Sequence, residues 1–255
     1  MPPDVNVADE LDLDFAVAEP GTGSVPEPAA SLAAGRRRGS KGEQTRAVIV
    51  EAALRLFREN GYEATTMRAI AKEAGVATGN AYYYFGSKEE LIQVYYARNH
   101  AEHAAACQPV LAAESRLGAR MRGVLRALID GQAPYHSFAA KLYKHAAEPA
   151  SPLSPFSTAS SPTRAAAIAL YAEVIEGARI RVPAGLRGRL PELLWLYSLG
   201  IVLYWVHDTS PGCAKTYRLI DLTTPLAERL IRLARLPGLR SLTRRLLSVL
   251  DEVLA

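Results

Sequence analysis

The sequence has little cysteine and no long apolar run. Its two cysteines, Cys107 and Cys213, lie far apart in the chain, which excludes a disulfide framework and favours a reducing compartment. The acidic N-terminus lacks the basic segment and apolar core of a secretory signal peptide. The most apolar run, residues 193 to 206, is shorter than the ~20 residues that a membrane-spanning helix needs. We therefore expect a cytoplasmic protein with no membrane partner.

The signatures of common enzyme classes are also missing. The sequence contains no Gly-x-Ser-x-Gly elbow, Walker loop, dinucleotide glycine pattern or His-Glu-x-x-His motif. His100, His103 and Cys107 share one helical face and have side chains that can ligate a soft metal. No second Cys or His cluster follows nearby in sequence, so a polar lining or a packing contact is favoured over a metal site. We expect no catalytic activity, no cofactor and no metal.

Positive charge is absent from the first 34 residues, which carry only acidic charges. The formal net charge of the whole chain is nevertheless +4, so the remainder is distinctly basic and suits a polyanionic partner. Residues 1 to 41 are rich in Pro, Gly, Ala and Ser, a composition that predicts a disordered tail. The basic run from Arg36 to Lys41 is either a solvated charge run or an arm that neutralises DNA phosphates.

Apolar residues recur at helical spacing through the rest of the chain, which predicts an all-α protein. The first helix is expected from Gln44 or Thr45 to about Asn60, and the fourth from Ser87 to about Cys107. Pro225 is expected to kink or break its helix at Thr224. The later helices are predicted at residues 115 to 132, 135 to 147, 162 to 179, 191 to 208, 213 to 235 and 238 to 254.

The stretch from Thr66 to Lys88 predicts a helix-turn-helix over residues 66 to 85. Thr65 or Thr66 can cap its first helix, and Gly75 supplies the positive φ that the turn needs. Ala81, Tyr82 and Phe85 form the apolar side of the second helix. The outer side carries small or amide-bearing residues that can approach base edges in a major groove, namely Thr78, Gly79, Asn80 and Tyr83.

Phosphate contacts are predicted next to this motif. Ser87 and Glu90 have the spacing of a capping box at the start of the fourth helix. Lys88 therefore lies beside free backbone N–H groups at a positive helix end, where a phosphate can be held. The Tyr82 and Tyr84 hydroxyls lie just upstream and can donate to the same DNA backbone.

These motifs together resemble the DNA-binding region of the tetracycline-repressor (TetR) family of bacterial regulators. The resemblance runs from about Gln44 to Tyr95 and includes Leu56-Phe57-x-x-x-Gly61-Tyr62, Thr65-Thr66-Met67-Arg68-x-Ile70-Ala71, Ala74-Gly75-Val76 and Tyr82-x-Tyr84-Phe85-x-Ser87-Lys88-Glu89-Glu90-Leu91. It implies a three-helix DNA-binding domain over residues 42 to 102. The DNA contacts expected are Thr66, Arg68, Thr78, Gly79, Asn80, Tyr82, Tyr83, Tyr84 and Lys88.

The resemblance also implies a helical effector-binding and dimerisation domain, here residues 103 to 255. Members of the family usually bind a small molecule between helices of this domain. Aromatic side chains, most of them with polar tips, are concentrated in two of its predicted helices. Core packing and a dimer seam remain the alternatives for each of them. The candidate ligand-binding residues are His103, Cys107, Tyr135, Phe138, Tyr143, Trp195 and Tyr204.

The function expected is a sequence-specific transcriptional regulator. We expect a homodimeric repressor that binds a palindromic operator in double-stranded DNA and is released by a small apolar or aromatic effector. The helices at 191 to 208 and 213 to 235 are the expected dimer seam. The alternatives are an architectural DNA-binding protein without an effector and an enzyme with a DNA-binding appendage.

Overall fold

A computed structural model describes residues 41 to 236 and four single residues beyond them, Gly238, Arg245, Ser248 and Glu252. The predicted acidic tail, the basic arm before Lys41 and the predicted helix at 238 to 254 lie outside the continuously described part. Between residues 41 and 236 every regular element is a helix, which confirms the all-α class. The α-helices are α1 (Lys41–Asn60), α2 (Met67–Glu73), α3 (Thr78–Tyr84), α4 (Lys88–Ala113), α5 (Leu117–Gln132), α6 (His136–Ala146), α7 (Ser161–Glu176), α8 (Ala184–Arg187), α9 (Leu190–Val206) and α10 (Ala214–Leu233).

The first core lies under α1, α2 and α3 and is closed by the start of α4 and by α6. Phe57 of α1 and Phe85 after α3 are fully buried in it, because the apolar faces of these short helices turn toward each other. Phe138 of α6 stacks on Phe57 with ring centroids 6.2 Å apart. A helix from the C-terminal half of the chain thus packs directly against α1.

Two further cores lie among α4, α5, α7, α9 and α10. One contains Cys107 of α4 and Trp195 of α9, and the other contains Ile129 of α5 and Trp205 of α9. Helix α4 therefore contributes Leu91 to the first core and Cys107 to the second. The single helix α4 thus connects the first core to the second.

Two prolines lie inside helices without ending them. Helix α4 continues past Pro109 to Ala113, beyond its predicted end, and α10 continues through Pro225 to Leu233. Of the kink or break predicted at Thr224, the break is therefore wrong, because α10 is continuous there. Thr224 and the other residues on the inner face of α10 are buried, and α10 packs along α5. This packing offsets the loss of the backbone hydrogen bond that Pro225 cannot donate within α10.

The turn before α10 is held by one carboxylate. Gly212 and Cys213 both have positive φ there, which glycine adopts freely but which strains the backbone at Cys213. Asp208 Oδ1 accepts from the Ser210 backbone N–H at 2.9 Å and from its hydroxyl at 2.6 Å. Asp208 Oδ2 accepts from the Thr216 backbone N–H at 2.8 Å and from its hydroxyl at 2.7 Å. Although burial acts in the opposite direction, these bonds hold the pKa of Asp208 below its usual value.

We expect Asp208→Asn to lower the free energy of unfolding by about 1–3 kcal/mol at pH 7, because the amide nitrogen cannot accept from the Thr216 backbone N–H. The folded pKa of Asp208 lies below its unfolded value, so its contribution is complete above the unfolded pKa of about 3.8 and is lost as the pH falls through the folded pKa. Urea unfolding at pH 7, 5 and 3.5 checks both points. The variant should lose less stability on acidification than the wild type. Asp221→Asn, which changes an exposed partner of Arg126, is the matched control.

Candidate functional site

The pair α2 and α3 forms a helix-turn-helix. Thr66 Oγ1 accepts from the Ala69 backbone N–H at 3.1 Å and so caps α2. Gly75 has φ +67° at the turn, where an L side chain would be strained. The Val76 backbone N–H donates to the Ala71 carbonyl at 3.0 Å and closes the turn. These local interactions fix the direction in which α3 leaves α2.

Helix α3 rests on one small buried residue and presents a polar outer face. Ala81 is fully buried beneath it, while Thr78, Gly79 and Asn80 are exposed at its start. Ala77 provides no side-chain cap. Tyr82 was assigned to the apolar side of α3, but its side chain is 53% exposed, so that assignment is wrong. The buried side is instead closed by Ala81 and Phe85, since residues four apart share a helical face.

Tyrosine side chains extend this exposed face. Tyr83 is 81% exposed, which makes it more accessible than Tyr82, and its ring meets the half-buried Tyr84 edge to face at 5.2 Å. Beside them the exposed Arg46 of α1 places its guanidinium 4.8 Å from the centre of the Phe85 ring. The surface around α3 therefore combines hydroxyl donors, an amide and a fixed cation. These are groups that contact nucleic-acid backbones and bases.

Lys88 fixes the start of α4 against the segment that follows α1. Its Nζ donates to the Tyr62 carbonyl at 2.8 Å and lies 4.4 Å from the centre of the Tyr62 ring. The Ser87 hydroxyl accepts from the Glu90 backbone N–H, which is the predicted cap. An ammonium group has three donors, so Lys88 retains capacity for a phosphate while it holds this joint.

A cavity of about 230 Å³ lies between α4, α7 and α9, with α5 and α6 closing it. Its walls are mostly apolar, with polar side chains at a few points, as is typical of small-molecule sites. The lining residues are Tyr96, Asn99, His100, His103, Leu128, Gln132, Tyr143, Ala146, Pro155, Ser160, Thr163, Arg164, Ala167, Leu170, Tyr171, Trp195, Ser198, Leu199 and Val202.

Burial controls the protonation of the polar groups at the cavity. It lowers the pKa of both His100 and His103. The Nε2 atom of His103 lies 2.9 Å from the Val124 carbonyl oxygen, which can only accept, so the proton of the neutral ring resides on Nε2. Burial also raises the pKa of Tyr171. Burial therefore favours the neutral forms of the His100 and His103 imidazoles and of the Tyr171 phenol.

The segment between α6 and α7 is tied to both walls of this cavity. On the α4 side, Gln93 Nε2 donates to the Pro152 carbonyl at 2.7 Å and to the Ser160 hydroxyl at 3.1 Å. On the α7 side, Arg164 Nη1 donates to the Pro155 carbonyl at 2.7 Å and to the Ser157 carbonyl at 3.1 Å. Hydrogen bonds through this segment therefore link the Arg164 side chain on α7 to Gln93 on α4.

One buried arginine of α5 joins the ends of α4 and α7. The Arg120 side chain donates to the carbonyls of Leu111 and Glu114 near the end of α4. It also donates to the carbonyls of Glu173 and Val174 near the end of α7, both at 2.8 Å. These carbonyls form the negative ends of two helices, which favour a cation. Burial nevertheless lowers the pKa of Arg120.

Two family models match the chain. The model described as bacterial regulatory proteins, tetR family, matches residues 49 to 95, which include α2 and α3. The model described as tetracyclin repressor-like, C-terminal domain, matches residues 120 to 246. Together they cover more than half of the chain. The chain belongs to the TetR family of transcriptional regulators.

Curated HTH-type transcriptional regulators are similar to this regulator over short stretches. The HTH-type transcriptional regulator HbdR from Aromatoleum sp. (strain CIB) is 48% identical over 50 residues, which are 20% of this chain and 22% of the relative. The HTH-type transcriptional regulator TtgR from Pseudomonas putida is 41% identical over 68 residues, 27% of this chain and 32% of the relative. The matches thus span less than a third of the length of these relatives. The family and these names agree with the expectation of a regulator rather than an enzyme.

Solved TetR-family structures have the same fold. FadR from Thermus thermophilus, a repressor solved in complex with lauroyl-CoA, is 26% identical and covers 76% of this chain and 99% of its own, with a TM-score of 0.54. A tetR-family regulator from Streptomyces coelicolor is 22% identical and covers 81% of this chain and 89% of its own, with a TM-score of 0.57. The second likeness concerns the fold alone.

In this TetR-family regulator the residues predicted to contact DNA lie on or beside α2 and α3. Arg68, Thr78, Gly79 and Asn80 are exposed, and Thr66 is engaged as the cap of α2. Arg46 was not among the predicted contacts. The sequence could have indicated Arg46, because it lies on α1 one turn before the buried Ile49. A residue at that spacing lies at the border of the buried face.

The seven predicted ligand-binding residues of the regulator separate into two groups. His103, Tyr143 and Trp195 line the cavity. The structure places the other four elsewhere: Cys107 is buried in the second core, Phe138 is buried in the first core, Tyr135 contacts Tyr95 at 5.8 Å and Tyr204 is 41% exposed on α9. These four do not line this cavity, and a role for them in ligand binding stays a prediction.

Sequence reasoning missed Tyr96, His100, Arg164 and Tyr171 as cavity residues of the regulator. The spacing of Tyr96, His100 and His103 on one face of α4 was the available signal. Between residues 41 and 236 no group of three His, Cys, Asp or Glu side chains has the arrangement of a metal site. Within the same part of the chain no helix is long and apolar enough to cross a membrane.

Proposed function

We propose that this TetR-family regulator is a homodimeric repressor that acts in the cytoplasm on a palindromic operator and is released by a small molecule bound in the cavity. The observation that carries the proposal is the course of α4. Its first residue, Lys88, holds the joint beside the helix-turn-helix, and Tyr96, His100 and His103 on the same helix line the cavity. A ligand that binds more tightly to one position of α4 will change DNA affinity by its differential affinity for the two positions.

In this proposal the helices nearest the N-terminus read DNA, and α4 and the helices after it hold the effector. Residues 42 to 102 form the proposed DNA reader. Residues 103 to 255 bind the effector and the second copy, and Tyr96, Asn99 and His100 from the end of the reader complete the effector cavity. Two α3 helices must lie ~34 Å apart to enter successive major grooves. Because α4 connects the reader to the cavity, a tilt of α4 changes that separation, which would weaken operator binding without unfolding the reader.

Base reading is assigned to the exposed start of α3. Asn80 is exposed there and its amide can pair bidentately with an adenine in the major groove. Thr78 and Gly79 are small enough to let the helix approach the base edges. Phosphate contacts are assigned to Tyr82, Tyr84 and Lys88, and Thr66, Arg68 and Tyr83 complete the set of proposed DNA contacts. The lauroyl-CoA in the Thermus thermophilus FadR structure makes a fatty acyl thioester a second effector class to test.

The test is selection of binding sites from randomised double-stranded DNA with the wild type and with Asn80→Ala. We expect inverted repeats from the wild type. Asn80→Ala should relax the preference at one position in each half-site, by ~1–3 kcal/mol of discrimination at that base pair. Lys88→Ala is the matched comparison, since loss of a phosphate contact weakens binding to every sequence alike and reduces the salt dependence. Equal weakening on all sequences by Asn80→Ala would remove Asn80 from the base-reading set.

A further inference from the structure

The cavity is asymmetric in charge. Among its lining residues in the described part of the chain there is no aspartate or glutamate, and Arg164 is the one guanidinium or ammonium group. A ligand with an ammonium group would lose its hydration on entering a site that offers no carboxylate to pair with it, which is unfavourable. An anionic ligand would instead meet a cation and the phenolic hydroxyls of Tyr96, Tyr143 and Tyr171.

One of those hydroxyls, that of Tyr171, is available to donate a hydrogen bond to an oxygen of a bound ligand. The Tyr171 hydroxyl is buried and makes no well-aligned hydrogen bond within the described residues, although the Ser198 hydroxyl lies close enough to interact with it. Ser198 lines the same cavity, but its hydroxyl donates to the Trp195 carbonyl at 2.6 Å. A buried O–H without a well-aligned partner is costly, and a ligand oxygen would remove that cost.

Arg164 and Tyr171 are arranged to act on one ligand. They lie seven residues apart on α7, which is two helical turns, and both line the cavity from that helix. Arg164 uses Nη1 for the Pro155 and Ser157 carbonyls. A guanidinium group carries five N–H donors, so others remain for a carboxylate.

The size of the cavity limits the rest of the ligand. A volume of about 230 Å³ lies below the ~300–1,000 Å³ of sites for drug-sized ligands. Leu170, Trp195 and Leu199 supply apolar walls, and Phe156 meets the Trp195 ring edge to face at 5.5 Å. One aromatic ring or a short alkyl chain fits this space better than a long acyl chain.

We propose that the effector is a compact apolar monocarboxylic acid, bound as its anion with the carboxylate between Arg164 and the Tyr171 hydroxyl and the apolar body against Trp195. This assignment rests on the proposed function, since it names the ligand class of the same cavity. It also supplies a route to α4. A carboxylate that draws Arg164 from the Pro155 and Ser157 carbonyls loosens the segment that Gln93 ties to α4.

The experiment is calorimetric titration of the full chain with phenylacetate, phenylacetamide and 2-phenylethylamine, and with octanoate and lauroyl-CoA, at constant pH and ionic strength. Phenylacetate should bind at least about tenfold more tightly than its neutral amide, because the hydrogen bonds to a charged acceptor are the stronger ones. The amine should not bind measurably. Lauroyl-CoA should bind more weakly than phenylacetate or octanoate.

Variants separate charge from packing. Arg164→Gln should abolish the preference for acid over amide, whereas Arg164→Lys should keep part of it. Tyr171→Phe should weaken acid and amide several-fold, since both offer an oxygen to the hydroxyl. Arg179→Gln alters an exposed arginine outside the cavity and should leave all affinities unchanged. Thermal unfolding of each variant confirms that it is folded.

Several results would overturn the assignment: equal binding of acid and amide, tighter binding of the amine, no binding of either acid, or binding of lauroyl-CoA alone. None of these touches the DNA-reading part of the proposed function, because site selection is performed without a ligand. Conversely, failure to select an inverted repeat would defeat the proposed function even if phenylacetate occupied the cavity.

Discussion

Leu230→Glu should convert the protein from a dimer into a monomer and lower its affinity for a selected operator at least about a hundredfold. Four leucines of α10, at positions 222, 226, 230 and 233, are each 46% to 60% exposed. Their spacing places them in one stripe, opposite the buried Ile220, Thr224 and Ile231. A continuous exposed apolar stripe of this kind marks a protein interface.

The magnitude follows from two-fold symmetry. Burying one leucine side chain contributes about 1.5–3 kcal/mol, and a symmetric interface loses this amount in both protomers. Two glutamates would in addition bring like charges together at the seam. Sedimentation velocity measures the mass, and Val48→Glu, at a 49% exposed position on α1, is the matched control. A wild-type chain that sediments as a stable monomer would defeat the dimer proposal.

Arg120→Leu should lower the free energy of unfolding by about 3–5 kcal/mol. The substitution leaves the carbonyls of Leu111, Glu114, Glu173 and Val174 without their buried donor. It also removes the cation at the negative ends of α4 and α7. We expect the second core to loosen before the first, because these carbonyls lie at that end of α4.

Urea unfolding followed by circular dichroism measures this effect. Arg126→Leu is the control, because Arg126 is 41% exposed and pairs with the equally accessible Asp221, so its loss should cost less than about 1 kcal/mol. Arg120→Lys keeps the charge but not the planar fork and should fall between the two. If Arg120→Leu costs no more than Arg126→Leu, the four hydrogen bonds do not join the helices as described.

The helix-turn-helix could be predicted because its determinants are local. A cap at Thr66, a positive-φ glycine at Gly75 and an apolar face completed by Ala81 all lie within a few residues of the backbone that they control. The prediction that Tyr82 lies on the apolar side of α3 was wrong near the end of this short helix. There Ala81 and Phe85, four residues apart, occupy the buried face, and Tyr82 lies beyond its edge.

The cavity could be predicted only in part, because it depends on how distant helices pack. Aromatic density in the sequence led to Tyr135 and Phe138. Phe138 of α6 and Tyr135, which lies just before α6, instead pack toward α1 and the start of α4. No local pattern specifies that choice. Tyr171 lies in an Ala-rich helix with few other aromatics, so its role depends on the approach of α9 and α4.

The prolines illustrate the same limit. Local rules predict a helix end near Pro225, and the intrinsic cost of an interior proline is about 3 kcal/mol. Helix α10 is nevertheless continuous, because its buried face packs along α5 over several turns. Tertiary packing of an amphipathic face exceeds a local propensity of this size.

Footprinting of the protein on a selected DNA fragment tests the central claim that two copies of α3 read two half-sites. The account predicts two protected major-groove patches on one face of the duplex, with centres about 10 base pairs or a multiple of that distance apart, and two protein chains per fragment. Protection that spreads evenly along any sequence as the protein concentration rises would contradict it and would instead indicate an architectural protein that coats DNA.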